Sequence, residues 1–272
     1  MNSSAKYQLN KLIFDDFNRP SGILLLNKPS DISSHDLVDQ VRRKYNIKQV
    51  GHAGALDVFS SGLMLILVGK ATKLSNEILN WDKAYKARIV LGLFNYTQDP
   101  EGEIIRSTPE FIPSTEDLLK TLESFKGKYN QFVSIYSSVK VKGVKLRKIL
   151  RDSRYSFEVI KKDDSKDIVI KRKDSEEVYT TIAVPQREIT IYDIKLLENG
   201  SKLGKDLPFK GIDRDKQYGY CDIYVKCSKG TYIRQLAEDI GNKLGTGAIL
   251  ATLERTELGI LNSSMAINLE DL

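Results

Sequence analysis

The chain has 272 residues, 41% of them hydrophobic, enough for one large core or two small ones. Forty-two basic residues against 36 acidic ones give a net charge of +6, which permits a polyanionic partner without demanding one. Two histidines, His35 and His52, offer no metal-ligand spacing. Cys221 and Cys227 share one expected strand, about 20 Å apart, too far for a disulfide. Metal and disulfide chemistry are therefore not expected. No apolar run approaches the ~18 residues of a membrane span, and the first 20 residues lack a signal-peptide core, so the expectation is a cytoplasmic protein with no membrane partner.

Residues 1–20 are polar and irregular and read as a loosely held leader. Gly22-Ile23-Leu24-Leu25-Leu26-Asn27 reads as a strand ended by Lys28-Pro29. Ser33 or Ser34 can cap a helix with Leu37, Val38, Val41 and Tyr45 on one face and Arg42, Arg43 and Lys44 on the other. That basic triplet fits a solvated helix face or phosphate contact.

The most unusual stretch follows: Gly51-His52-Ala53-Gly54-Ala55-Leu56-Asp57-Val58-Phe59-Ser60-Ser61-Gly62. Its glycines suggest positive φ or close backbone approach, and the apolar run 63–68 behind it reads as a buried strand. Asp57 is either the polar residue of a surface turn or a rigidly held reactive carboxylate. A helix is expected near 70–80, then a half-buried strand over 84–93 with Tyr85, Ala87, Ile89, Leu91 and Leu93 on one face. Tyr85 fits a core tyrosine or a stacking platform for a base.

A loop spans 95–102, and Ser114 with Asp117 opens a helix bearing Leu118, Leu119, Leu122 and Phe125. Lys140, Lys142, Lys145, Arg147, Lys148 and Arg151 then supply six basic residues with no acid among them. Interleaved with Val144, Leu146, Ile149 and Leu150, they read as a basic amphipathic helix, either a solvated face or a polyphosphate contact. Residues 151–178 carry eight basic and eight acidic residues and read as a charged hairpin turning near Asp163-Asp164-Ser165.

A strand over 187–194 precedes a polar loop at 199–218. Another strand, 220–227, buries Cys221, Ile223, Val225 and Cys227 on one face. Gly230 marks a turn, and Thr231 is the expected cap of a helix with Ile233, Leu236, Ala237, Ile240 and Leu244, closed by Gly245. Arg234 falls in that helix's first turn, where the dipole disfavours a cation, so it is expected to answer a carboxylate elsewhere, with Asp57 the candidate.

Five of these stretches, in order, resemble the TruB family of tRNA pseudouridine synthases: Gly22–Pro29; Gly51–Asp57 with Ser61-Gly62; Lys83-Ala84-Tyr85-Lys86-Ala87 with Leu91-Gly92; Tyr136-Ser137-Ser138-Val139-Lys140 with Gly143; and Cys227–Arg234. The resemblance covers residues 22 to about 256. It implies an α+β fold, a large mixed and mainly antiparallel sheet flanked by helices with the active site in a cleft. The implied activity is conversion of uridine 55 in the TΨC loop of tRNA to pseudouridine, with no cofactor or metal.

By motif match Asp57 is the catalytic aspartate and Arg234 its partner. Tyr85 stacks on the flipped base, and His52 stacks within the RNA loop. Tyr232 and Leu253 line the uracil pocket, and Lys28 is structural or near the site. Lys140, Lys142, Lys145, Arg147, Lys148, Arg42 and Arg43 are the expected phosphate contacts. Residues 21–272 form the catalytic domain, expected to be monomeric. With about twenty residues following Leu253, a full PUA-type domain of the kind many relatives append is not expected.

The chain departs from the family pattern at Val58 and Val133, where prolines are usual, at Tyr96, where an aspartate is usual, and at Arg147, where a tyrosine is common. The 151–178 excursion is longer than usual. A non-catalytic RNA-binding or tRNA-folding protein on the same scaffold, and a synthase for a different uridine, are the competing readings.

Overall fold

The computed structural model describes residues 7–136, 144–162 and 165–271, together with the backbone at 140–141. Its first half is built on two apolar strands, β2 (Pro20–Lys28) and β4 (Ser61–Val68), paired antiparallel from Gly22 opposite Val68 to Lys28 opposite Gly62. Both are buried on both faces, which is why they read as continuous apolar runs rather than alternating ones. β1 (Lys11–Phe14) adds an edge to β2, and β3 (Val50–His52) pairs with β4. Residues 11–14 are thus part of the sheet, which corrects the expectation of a loose leader. Only Gly22 lets this edge close in, because a Cβ there would lie 2.7 Å from the Lys11 carbonyl oxygen.

Helix α1 (Ser34–Lys44) covers one face of this half. Ser33 caps it, and Ser33 and Asp36 exchange side-chain-to-backbone hydrogen bonds. Leu37, Val38 and Val41 pack on Leu24, Leu26, Met64 and Ile66, each worth roughly 2 kcal/mol of burial. The helix expected at 70–80 is split into a 3-10 segment, Gly69–Leu74, and a single turn, α2 (Ser75–Leu79).

The second half centres on β5 (Lys83–Leu91). After the small pair β6 (Leu93–Phe94) and β7 (Arg106–Ser107), α3 (Thr115–Glu123) begins at the Ser114 cap and buries Leu118 and Leu122, but leaves Leu119 exposed. β8 (Gly127–Phe132) forms the far edge.

Between Phe132 and the next sheet strand lies a separate lobe: the pair β9 (Lys140–Val141) and β10 (Val144–Lys145), one helical turn α4 (Leu146–Leu150), and β11 (Tyr155–Lys162), β12 (Ser165–Arg172) and β13 (Val178–Ala183). The basic amphipathic helix expected over 140–151 is therefore not one helix. Leu146, Ile149 and Leu150 close on Ile168 and Ile170, and one turn suffices to present them. The expected charged hairpin exists as β11 and β12, but it gains a third strand and its own apolar underside. Asp163 and Asp164 lie outside the described residues.

β14 (Gln186–Leu203) and β15 (Gln217–Cys227) form a long pair. Residues 199–203 and 217–218, expected in a polar loop, continue that pairing, and only 204–216 connect the strands. Backbone pairing carries these polar ends without the apolar alternation that marks a strand in sequence.

α5 (Ile233–Lys243) precedes β16 (Ala248–Leu258) and the short β17 (Leu261–Asn262). Tyr232, not Thr231, takes the cap position of α5; the Thr231 hydroxyl instead donates to the Ser228 carbonyl at 2.9 Å. The main sheet runs β1-β2-β4-β16-β5-β15-β14-β8. Among the described strands β16 and β4 are the pair that runs parallel, making the sheet mixed and mainly antiparallel as expected. Their junction requires Gly62, at φ +101, because a Cβ there would sit 2.4 Å from the Arg255 carbonyl oxygen.

Candidate active site

Asp57 lies on the connection from β3 to β4, and three buried groups fix that connection. The Ser34 hydroxyl, in the first turn of α1, accepts from Leu56 N–H at 2.8 Å and donates to the Leu56 carbonyl at 2.9 Å. Lys28 is fully buried at the end of β2, and its Nζ donates to the carbonyls of Pro29 at 2.8 Å, Ile32 at 2.7 Å and Val58 at 3.3 Å. Burial lowers the Lys28 ammonium to about 8, against the opposing pull of Asp31 and Asp57. Arg255 on β16 is 1% exposed and donates from Nε to the Leu63 carbonyl at 2.6 Å and from Nη2 to the Gly54 carbonyl at 3.1 Å. The loop is therefore held at its start, middle and end by side chains remote in sequence.

On this support Asp57 meets Arg234, as expected. Nε of Arg234 lies 2.9 Å from Oδ2, and Nη2 donates to Oδ1 at 3.2 Å. The Arg234 side chain is 9% exposed and that of Asp57 39%, so the cation is buried while the carboxylate still faces the cleft. Nη1 of Arg234 donates to Oδ2 of Asp99 at 3.1 Å and to the Thr97 carbonyl at 2.8 Å. Two carboxylates and a carbonyl thus compensate a cation placed against the dipole of α5. Burial raises the Asp99 carboxyl above its ordinary value, opposed by the adjacent Arg234. Sequence reasoning missed Asp99, because an acid in a loop of Asn, Gln and Pro reads as turn chemistry. It missed Arg255 for a related reason: charge within a strand reads as the solvated face.

A cleft of about 300 Å³ opens over the pair, lined by His52, Ser33, Thr97, Tyr136 and Arg147 among others. Burial, with Arg255 and His35 nearby, lowers the His52 imidazole below its ordinary value, which leaves it neutral near pH 7; its Nδ1 is buried without a partner. The N-terminal ends of α1 and α5 both reach this cleft, and Arg147 and Arg151 stand at its rim.

The other expected site residues lie around the cleft rather than on its open surface. Tyr85 and Leu253 are buried beside Leu56 in one apolar cluster. Burial pushes the Tyr85 phenol up to about 12. Tyr232 is half-buried two residues before Arg234, with its N–H donating to Oε1 of Gln131 at 2.9 Å.

Of the expected phosphate contacts, Arg147 faces the cleft, while Lys148 lines a different hollow with Val144 and Ile149. Lys145 is half-buried and Arg43 exposed, both beyond the cleft's lining. Arg42 is tied to Asp39 at 2.8 Å and to the Val50 carbonyl at 2.9 Å, so it already has internal partners. Lys140 is described by its backbone alone, and Lys142 lies outside the described residues, as do Ser137, Ser138, Val139 and Gly143. Among the described residues no group of three or more His, Cys, Asp or Glu side chains converges, and no helix is long and apolar enough to cross a membrane.

Residues 42–171 match the family described as TruB family pseudouridylate synthase (N terminal domain), and residues 234–272 match the tRNA pseudouridylate synthase B C-terminal domain. The chain is 36% identical over 250 residues to tRNA pseudouridine synthase B of Clostridioides difficile, covering 92% of this chain and 69% of that one. It is 35% identical over 253 residues to the protein of that name from Mycoplasma capricolum, covering 93% and 73%. A chain in the crystal structure of a Cbf5–Nop10–Gar1 complex superposes with a TM-score of 0.58 at 22% identity, over 98% of this chain and 60% of that one. A chain of the archaeal box H/ACA Nop10–Cbf5 complex gives 0.53 at 22% identity, over 98% and 59%. These two likenesses show the shared fold.

Proposed function

Because the chain belongs to the TruB family of pseudouridine synthases, we propose that it isomerises uridine 55 in the TΨC loop of tRNA, with Asp57 as the reacting carboxylate. The observation that carries this reading is the Asp57–Arg234 pair. A carboxylate is held bidentately by a buried guanidinium and remains open to a cleft.

The reaction breaks the N1–C1′ bond, turns the uracil, and forms a C5–C1′ bond. The hydrogen at C5 leaves as a proton and N1 gains one, so composition and oxidation state are unchanged. Asp57 is the group that acts at the reacting nucleoside, as nucleophile or base. Arg234 fixes its orientation through two parallel hydrogen bonds. The target base must leave its stack, at a cost of a few kcal/mol, offset by new stacking contacts. In this reading the neutral His52 stacks in the RNA loop. Tyr85, Leu253 and Tyr232 contact the extruded uracil, and Lys28 sets the height of the Asp57 loop. Arg147, with the lysines of the same segment, meets the phosphates.

The test is release of tritium from tRNA transcript carrying 5-³H-uridine, with the modified position mapped afterwards. Wild-type release at uridine 55, and none from Asp57→Asn, is the expected result. Release mapped to another uridine would replace the substrate assignment. Tight tRNA binding without release would favour a tRNA-folding protein.

A further inference from the structure

The 151–183 lobe buries a lysine against the helix that carries Arg234. Lys166, on β12, and Glu238, on α5, have side chains 7% and 12% exposed, with Nζ 3.6 Å from Oε1. The other Glu238 oxygen accepts a hydrogen bond from Nε2 of Gln98. Gln98 Nε2 also donates to Oε1 of Gln235 at 2.9 Å, and Gln98 Oε1 accepts from the Ser134 hydroxyl at 2.9 Å. Gln98 is 3% exposed and sits at φ +64, a left-handed conformation uncommon for a non-glycine residue, which costs on the order of 1 kcal/mol. Its side chain is a buried plug, while its backbone N–H donates to Asn95 Oδ1 at 2.6 Å and its carbonyl accepts from Leu250 N–H at 3.1 Å.

The residues on either side of the plug are Arg234's partners. Thr97 offers its carbonyl and Asp99 its carboxylate to Nη1 of Arg234. A second contact joins the lobe to the same loop: the Tyr96 ring packs on Phe157 of β11 with centroids 4.7 Å apart. Tyr96 is thus a docking point for the lobe.

We infer that the β11–β13 lobe positions the catalytic ion pair, through Lys166–Glu238–Gln98 and Tyr96–Phe157, by fixing the 95–99 loop against α5. Lys166, Gln98 and Phe157 are positioning residues, since none lies within the cleft over Asp57. Glu238 is a buried charge whose ionised form needs a partner, and Lys166 supplies it. Without that partner the Glu238 carboxylate loses its cation and its fixed position, and the bond to Gln98 weakens. The inference rests on the assignment of Asp57 and Arg234 as reacting group and partner.

The test compares wild type with Lys166→Met, Phe157→Leu and the double variant Lys166→Met/Glu238→Gln. Because a misplacement near 1 Å can cost ~10²-fold, Lys166→Met is expected to lower kcat on the order of 10-fold, with KM for tRNA within twofold of wild type. The double variant removes the uncompensated charge and is expected to recover most of that loss. Phe157→Leu, which keeps an apolar contact, is expected to lower kcat by about threefold, an intermediate loss. A rise in KM with kcat unchanged would overturn the inference and make the lobe an RNA-binding element. Hydrogen–deuterium exchange decides independently of turnover. The 95–102 peptide is expected to exchange several-fold faster in Lys166→Met, while β5 exchanges as in wild type. Equal exchange at 95–102 would overturn the inference. A wild type that releases no tritium would instead remove the proposed reaction, with exchange still reporting on the loop.

Discussion

Arg234 divides its guanidinium between two carboxylates 42 positions apart in the chain, Asp57 through Nε and Nη2 and Asp99 through Nη1. The fork geometry suits a planar guanidinium and no other side chain. Arg234→Lys keeps the charge but loses the two parallel bonds to Asp57. It is expected to lower kcat on the order of 10²-fold while leaving KM for tRNA little changed, measured by tritium release at saturating tRNA. A kcat within threefold of wild type would show that charge alone suffices.

Asp99 is the less visible half of that arrangement. Its side chain is 4% exposed, so Asp99→Ala leaves the buried guanidinium short of one anion and is expected to destabilise the fold by about 3 kcal/mol. Urea unfolding measures this as a shift in midpoint with the slope retained. An unchanged midpoint would mean that solvent or Asp57 replaces Asp99 without cost.

Lys28 has a comparable structural role beneath Asp57. Lys28→Met keeps most of the stem and removes the donor to three carbonyls. The expected loss is about 2 kcal/mol, because unmet carbonyls cost more than the removal of a buried charge returns. The Val58 carbonyl directly follows Asp57 on the chain, so kcat is expected to fall in the folded variant as well. Unfolding and turnover measured on one preparation separate the two effects.

The Asp57–Arg234 pair was legible in the sequence because its signal is local: a cation in the first turn of α5 is costly unless answered. The cap of α1 and the buried face of β15 were legible for the same reason, since capping and alternation are short-range patterns. Gln98, Asp99, Lys166, Glu238 and Arg255 were not. Each is polar, each is buried, and each has its partner across the fold. Composition assigns such residues to solvent, and only tertiary contact reverses that. The single turn of α4 reads in sequence as a longer helix because basic and apolar residues alternate there at helical spacing, whereas Val144 and Lys145 pair with β9.

Asp239 gives the fold a pH dependence of its own, one residue beyond Glu238. Burial, with Glu238 beside it, raises its carboxyl from 3.8 to about 6, against the Gln235 hydrogen bond and the more distant Lys161 and Lys166. Tyr129, half-buried like Asp239, lies close to it. Between pH 3.8 and 6 the folded chain therefore holds a proton that the unfolded chain has released. This group's contribution to stability falls as pH rises through that window and stays at its lower value above it. Asp239→Asn keeps an oxygen for the Gln235 amide, which donates to Oδ1 at 2.9 Å, and removes the titration. Relative to wild type it is expected to be near neutral at pH 4 and more stable by about 2 kcal/mol at pH 7. Urea unfolding of both proteins at the two pH values measures the difference. A gain of equal size at pH 4 and pH 7 would show that Asp239 does not titrate in the folded chain.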